Sequence, residues 1–208
     1  MTTVIGLTGN IGTGKSTVLV MLHDLGADTI DADAVAHAVM RPGQAAHAAI
    51  VQAFGANILA TDGTIDRGRL GAIVFRDAAA LARLEGIMHP AIFVRMQELV
   101  HSSVRPVVVI EAIKLLEAGY SITLCDVIWV VTSTRDQQIA RLMHSRHLSR
   151  AEAELRIDAQ PPQADKVRQA DVVIDNSGTL EETRQQVETA WQCLPSNTLQ
   201  RSDGMSQP

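Results

Sequence analysis

Residues 4–16 read Val4-Ile5-Gly6-Leu7-Thr8-Gly9-Asn10-Ile11-Gly12-Thr13-Gly14-Lys15-Ser16, and this stretch decides the fold. Its first five residues are a β-rich run. The next eight match G-x-x-x-x-G-K-[ST] at every fixed position. Beyond them, Val18, Leu19, Leu22 and Leu25 recur at three- and four-residue steps, which predicts a helix over 16–25 with Gly26 as its stop. Strand, glycine turn and helix in that order make a phosphate cradle. The glycines let the backbone wrap closely around phosphate with its N–H groups inward. The helix aims the positive end of its dipole at the same point. Lys15 can reach the β- and γ-phosphates, and the Ser16 hydroxyl can ligate Mg²⁺. Only three lysines occur (Lys15, Lys114, Lys166), and one stands at the required place. The stretch predicts binding of a nucleoside triphosphate.

Working outward, four more β-rich stretches lie at residues 28–31, 107–111, 127–132 and 171–175. Several are continuous apolar runs and do not alternate, as in strands buried on both faces of a parallel sheet. Helical stretches separate them, with capping-box pairs at Ser149/Glu152 and Thr179/Glu182. The expected fold is α/β: a doubly wound, mostly parallel five-stranded sheet. One stretch breaks the rhythm. From about residue 34 to 104 no strand pattern occurs, which predicts a helical insertion lobe. The segment of about 134–169 is helical again and holds six of the fifteen arginines. The core is then 1–33, 105–133 and 170–194 of a single domain. The polar end, 195–208, is expected to be a disordered tail.

The 208 residues suffice for one α/β domain with a small lobe. A net charge of −5 argues against generic nucleic-acid binding, and 3% aromatics against a base-stacking platform. Two cysteines, Cys125 and Cys193, supply neither a metal-ligand spacing nor a disulfide framework. No apolar run approaches the roughly 20 residues of a membrane span. The opening MTTVIGLTGN lacks the basic region of a signal peptide. A soluble, cytoplasmic protein with small-molecule substrates and no obligate protein partner is expected.

A guanine-reading N-K-x-D is absent, so a GTPase is disfavoured. Glu111 closes the run Val107-Val108-Val109-Ile110 and is read two ways, as a metal carboxylate acting through water or as a structural strand end. Asp31-Ala32-Asp33 ends the second β stretch, where ligands bind in such sheets. Asp33 is read as a general base, as a holder of metal-bound water, or as the N-cap of a helix starting at Ala34. His144 and His147, three apart, lack a third metal ligand.

The runs IGLTGNIGTGKSTV, DADAVAH, DGTIDRGRLGAIVF through LEGIMHP, LSRAEAELRIDAQ and ADVVIDNSG occur in an order that resembles the dephospho-coenzyme A kinase family. The likeness covers about residues 2–194. It implies a nucleotide core, a helical coenzyme A lobe and a mobile arginine-bearing lid. It also implies transfer of the ATP γ-phosphate to the ribose 3′-hydroxyl of dephospho-CoA, the last step of coenzyme A biosynthesis. A kinase for another acceptor, such as a nucleoside monophosphate, is the alternative. Carried over by position, Asn10, Ile11, Gly12, Thr13, Gly14, Lys15, Ser16 and Thr17 bind ATP, and Asp33 is the base. His89 and Pro90 lie on the acceptor side, and Arg156 is the arginine of R-I-x-x-Q, also assigned to the acceptor. Arg141 is the first lid arginine and catalytic, while Asn176 and Gly178 form the nucleotide-end turn. Two departures stand out. The run Glu111-Ala112-Ile113-Lys114-Leu115-Leu116-Glu117 lacks the family's proline and has lysine at its first leucine. Ser145 and Arg146 occupy the places of an arginine-aspartate pair. Arg146 is expected to assist at ATP, provided the helix ends or bends between Arg141 and Arg146.

Overall fold

The computed structural model describes residues 2–116 and 121–194; the expected tail lies outside them. The chain divides into two compact units, one of Met1–Ile30 with Ser102–Pro208 and one of Asp31–His101.

The first unit is built on a five-stranded parallel sheet in the order β2-β3-β1-β4-β5. The strands are β1 (Thr3–Thr8), β2 (Asp28–Asp31), β3 (Val107–Glu111), β4 (Val127–Thr132) and β5 (Val172–Asp175). Central β1 is buried along its whole length, whereas edge strands β2 and β5 each bury one residue. That gradient explains why β1, β3 and β4 read as unbroken apolar runs. The order in which strands are added reverses about β1, so β3 and β4 flank it and open a crevice at its carboxyl end. On one face Ile5, Leu7, Val107, Val109, Trp129 and Val131 pack against α1 (Lys15–Asp24) and α9 (Leu180–Gln192). Trp129 is fully buried there, and a ring of that size contributes roughly 3 kcal/mol or more. Gly6 is glycine for lack of space: a Cβ would lie 2.7 Å from Leu115 and 2.8 Å from Cys125.

Both predicted capping boxes form, at the starts of α7 (Arg150–Asp158) and α9. A third precedes α6 (Arg135–Arg146), where Thr134 and Gln137 satisfy each other's backbone. The short α8 (Gln163–Val167) leads into β5. Its Lys166 is buried and donates to the Ile113 carbonyl at 2.9 Å, tying α8 to the turn after β3.

The second unit is helical: α2 (Ala32–Val39), α3 (Ala45–Phe54), α4 (Arg67–Val74) and α5 (Ala78–Ser102), whose last residue belongs to the first unit. The helix expected from Ala34 begins two residues earlier. Asp31, not Asp33, is its cap and accepts from the Ala34 N–H at 3.0 Å. The reason is conformational: Asp31 keeps the extended backbone of the strand, whereas Asp33 is already helical.

Candidate active site

The carboxyl end of β1 runs into the loop Gly9–Ser16, and α1 starts at Lys15. Lys15 is almost buried and folds back over the loop. Its ammonium donates to the Gly9 carbonyl at 3.0 Å and stands 3.8 Å from Glu111 Oε1. The sheet register sets that meeting, because Glu111 pairs with Leu7 at the crevice end. Ser16 is exposed in the first turn. Among the described residues the N–H groups of Gly12, Gly14 and Ser16 have no acceptor, so they present donors to an anion. The Ile11 N–H does not: it donates to Gln160 Oε1 at 2.7 Å. Asn10 is buried and donates to the Pro161 carbonyl at 2.9 Å, and Thr13 donates to the Asn10 carbonyl. Asn10, Ile11 and Thr13 therefore hold the loop's shape with these groups.

Three outside elements brace the loop. Gly12 lies against the backbone of α6 at Gln138, where a Cβ would come within 2.9 Å. Ile11 packs with Ile139, Leu142, Ala153 and Ile157 of α6 and α7. Arg141 sends one guanidinium nitrogen to Thr13 O (2.9 Å), Gly12 O (3.3 Å) and Ser133 Oγ (3.1 Å), and another to Asn176 O (2.8 Å). Burial lowers its pKa below the usual guanidinium value. Asn176, at the end of β5, donates to Thr13 O at 2.9 Å and accepts from Thr183 at 3.0 Å. Gly14 has φ 93° and faces that Asn176 amide, so a side chain there would meet both strain and a collision.

The arginine expected to assist Arg141 sits elsewhere. Helix α6 is unbroken from Arg135 to Arg146, so no end or bend separates the two. Five residues turn Arg146 about 140° away from Arg141, and it is exposed. The helix ends just beyond it, where His147 takes the left-handed conformation at φ 54°. His144 and His147 thus do not share a helical face, and among the described residues no group of three His, Cys, Asp or Glu could hold a metal. Arg156 is exposed on α7. Gly178 is exposed in the turn that leads to Thr179, and Thr17 is half-buried in α1.

In the second unit Asp33 is exposed in the first turn of α2 and lines a cavity of about 710 Å³. His89 and Pro90 lie within α5, and Pro90 lines a separate cavity of about 590 Å³ with Gly86 and Val94.

The dephospho-CoA kinase family profile matches residues 3–182. A dephospho-CoA kinase of Geobacter sulfurreducens is 48% identical over 192 residues, covering 90% of this chain and 96% of that one. The chain belongs to the dephospho-CoA kinase family. Its members use ATP to phosphorylate dephospho-CoA, so the family decides against the nucleoside-monophosphate alternative. A solved structure from Thermus thermophilus superposes with a TM-score of 0.78 at 30% identity, covering 94% of this chain and 99% of that one. The dephospho-CoA kinase of Campylobacter jejuni superposes with 0.66 at 27% identity, covering 92% and 96%.

Sequence reasoning missed Gln160, Ser133 and the Thr134 capping box. Gln160 is the last residue of R-I-x-x-Q, so the motif held the signal, but nothing local says that its amide reaches residue 11. The family's missing proline leaves the turn after β3 intact: Ala112 N–H still donates to Leu7 O at 3.1 Å, and Lys114 points outward, exposed.

Proposed function

We propose that the loop from Gly9 to Thr17 holds the ATP phosphates of this kinase and that Asp33 accepts the proton of the dephospho-CoA 3′-hydroxyl. The single observation that carries the donor half is Lys15, buried over the glycine loop with Glu111 beside it. An ammonium held so, with unpaired N–H groups around it, stabilises the charge that spreads over the transferring phosphoryl oxygens.

Mg²⁺ fits the donor set. Ser16 offers a hydroxyl without a partner among the described residues, and Glu111 a carboxylate. A magnesium ion takes only one or two protein oxygens beside substrate phosphates and water. Bound there, it would neutralise charge between the β- and γ-phosphates. Asp33 is free for proton transfer because Asp31 does the capping. His89, Pro90 and Arg156 belong to the acceptor side. Helices α6 and α7 form the lid, fastened to the loop by Arg141 and Gln160, and Gly178 stands at the nucleotide end. The enzyme works in the cytoplasm on small molecules alone.

The deciding experiment is ADP release with Mg-ATP against a panel of hydroxyl acceptors, including nucleoside monophosphates and shikimate. Turnover with dephospho-CoA alone is expected. Equal or greater turnover with another acceptor would sink the reading.

A further inference from the structure

Of the three lysines, Lys15 serves the phosphate loop and Lys114 is exposed. The third, Lys166, is a buried charge that the phosphoryl-transfer chemistry does not use. It is 3% exposed, on the short α8 of the first unit, and its ammonium donates to the Ile113 carbonyl at 2.9 Å. Burying an ammonium is costly, and lysine is among the residues least often buried. Its place in the fold shows what it holds. Ile113 stands two residues beyond Glu111, in the turn that leaves β3 at the carboxyl end of the sheet. The same carbonyl accepts from the Thr8 hydroxyl at 3.2 Å, and the Ala112 N–H donates to Leu7 O at 3.1 Å. The turn is therefore pinned twice, to the last residues of β1, from which the phosphate loop starts, and to α8.

The chain just before α8 is itself tied to the loop. Gln160 Oε1 accepts from the Ile11 N–H at 2.7 Å, and the Pro161 carbonyl from Asn10 Nδ2 at 2.9 Å. Residues 160–166 thus hold two things at once: the loop that leads to Lys15 and the turn that follows Glu111. Between them, Lys15 Nζ and Glu111 Oε1 meet at 3.8 Å. We propose that Lys166 is a positioning residue for Glu111, fixing that carboxylate relative to the phosphate loop by holding the Ile113 carbonyl from α8. This rests on the reading of Glu111 as the carboxylate that serves Mg²⁺. The physical reason is the metal's demand for near-ideal octahedral geometry, so that a ligand on a loosely held backbone loses much of its worth. Thr8 holds the carbonyl from the strand side. The four-carbon stem of lysine lets α8 hold it from the helical side, across a gap that a shorter donor would not span.

The test compares the wild type, Lys166→Met, Glu111→Gln and the double variant. ATP affinity is measured by calorimetry with Mg²⁺ and with EDTA, beside steady-state rates against Mg²⁺ concentration. Lys166→Met keeps an aliphatic stem, and Thr8 still donates to Ile113 O, so no buried acceptor is orphaned and the fold should survive. If it does not fold, Lys166→Gln, polar but too short to reach, takes its place in every measurement. Losing an outer residue that orients a metal ligand costs roughly 10- to 100-fold in metal affinity or activity. The Mg²⁺ concentration for half-maximal rate should therefore rise ~10-fold or more, and the tightening of ATP by Mg²⁺ should shrink to match. The ATP Kd in EDTA should stay within about twofold, since Lys15 and the loop N–H groups are untouched. On the Glu111→Gln background Lys166→Met should add less than about twofold, because it acts through the group already removed. An unchanged Mg²⁺ demand in Lys166→Met overturns the inference, and so does full additivity in the double variant, which would make Lys166 a support of the fold alone. An equal loss of ATP affinity in EDTA overturns it too, by placing the ammonium's charge directly on the phosphates. A Glu111→Gln enzyme with unchanged Mg²⁺ demand would instead refute Glu111 as the metal's carboxylate, and the inference would fall with that reading.

Discussion

Arg141 joins helix α6 to the phosphate loop, and its removal should therefore cost stability as well as rate. In Arg141→Ala four hydrogen bonds disappear, three of them sharing one nitrogen. Their effects do not add. Thr13 O keeps a donor in Asn176 Nδ2 at 2.9 Å. The Gly12 and Asn176 carbonyls lose their guanidinium donor. At about 1.5–3 kcal/mol for a hydrogen bond to a charged group, partly solvated, the loss is about 2–3 kcal/mol. In a chain of this size each kcal/mol moves Tm by about 2–4 °C, so the melting temperature should fall by roughly 4–12 °C. A loosened loop presents its N–H groups less accurately, and kcat should fall by ~100-fold. Arg141→Lys should recover less than half of either loss, because one ammonium cannot span the same four oxygens. Thermal unfolding followed by circular dichroism, beside kcat and KM for both substrates, separates the possibilities. A Tm within about 1 °C of wild type would refute the bracing role. A kcat loss in that same variant would then place the guanidinium on the phosphates alone.

Asp33→Asn should lower kcat by ~10²–10⁴-fold at nearly unchanged Tm, since Asp31 caps α2; intact turnover in a folded variant would remove Asp33 from the chemistry. Gln160→Leu leaves the Ile11 N–H without its acceptor, at about 1–3 kcal/mol. Hydrogen exchange at that amide should speed up and the ATP KM rise, and unchanged protection at Ile11 counts against the latch. Burial and the neighbouring Asp126 push the Cys125 thiol up to about 12, while Cys193 is an exposed free cysteine. Titration with a disulfide reagent at pH 8 should find one thiol in the native protein and two after denaturation. Capping hydrogen bonds from Ser149 and Thr179 hold the Glu152 and Glu182 carboxyls below their usual 4.5. Folded values lower than unfolded ones mean that this stability is complete above pH 4.5 and is lost as pH falls through the folded values. Glu152→Gln with Glu182→Gln should flatten the acid limb of a Tm-against-pH curve; an unaltered limb assigns it to other carboxylates.

The second aspartate of Asp31-Ala32-Asp33 shows where local reading stops. Both residues stand beside a helix start, and residue type alone does not say which of two caps it. The backbone sets that: Asp31 ends β2 in the extended conformation, and α2 starts at the next residue. Arg141 and Arg146 are a second instance. Whether five residues bring two side chains together depends on where α6 ends, and the end falls after Arg146. By contrast, Thr179 with Glu182 and Ser149 with Glu152 were legible because a capping box closes within four residues and needs no distant partner.

The sequence by itself determined the strand positions, the phosphate loop, its lysine and the family, because apolar runs, glycine spacing and caps act over a few neighbouring residues. Only the tertiary structure decided which groups hold the loop. Gln160 meets Ile11 across 149 residues, Asn176 meets Thr13 across 163, and Lys15 meets Glu111 through the β1–β3 register. Such contacts follow from how a parallel sheet brings its carboxyl ends together, and no local pattern of residues encodes which side chain will arrive there.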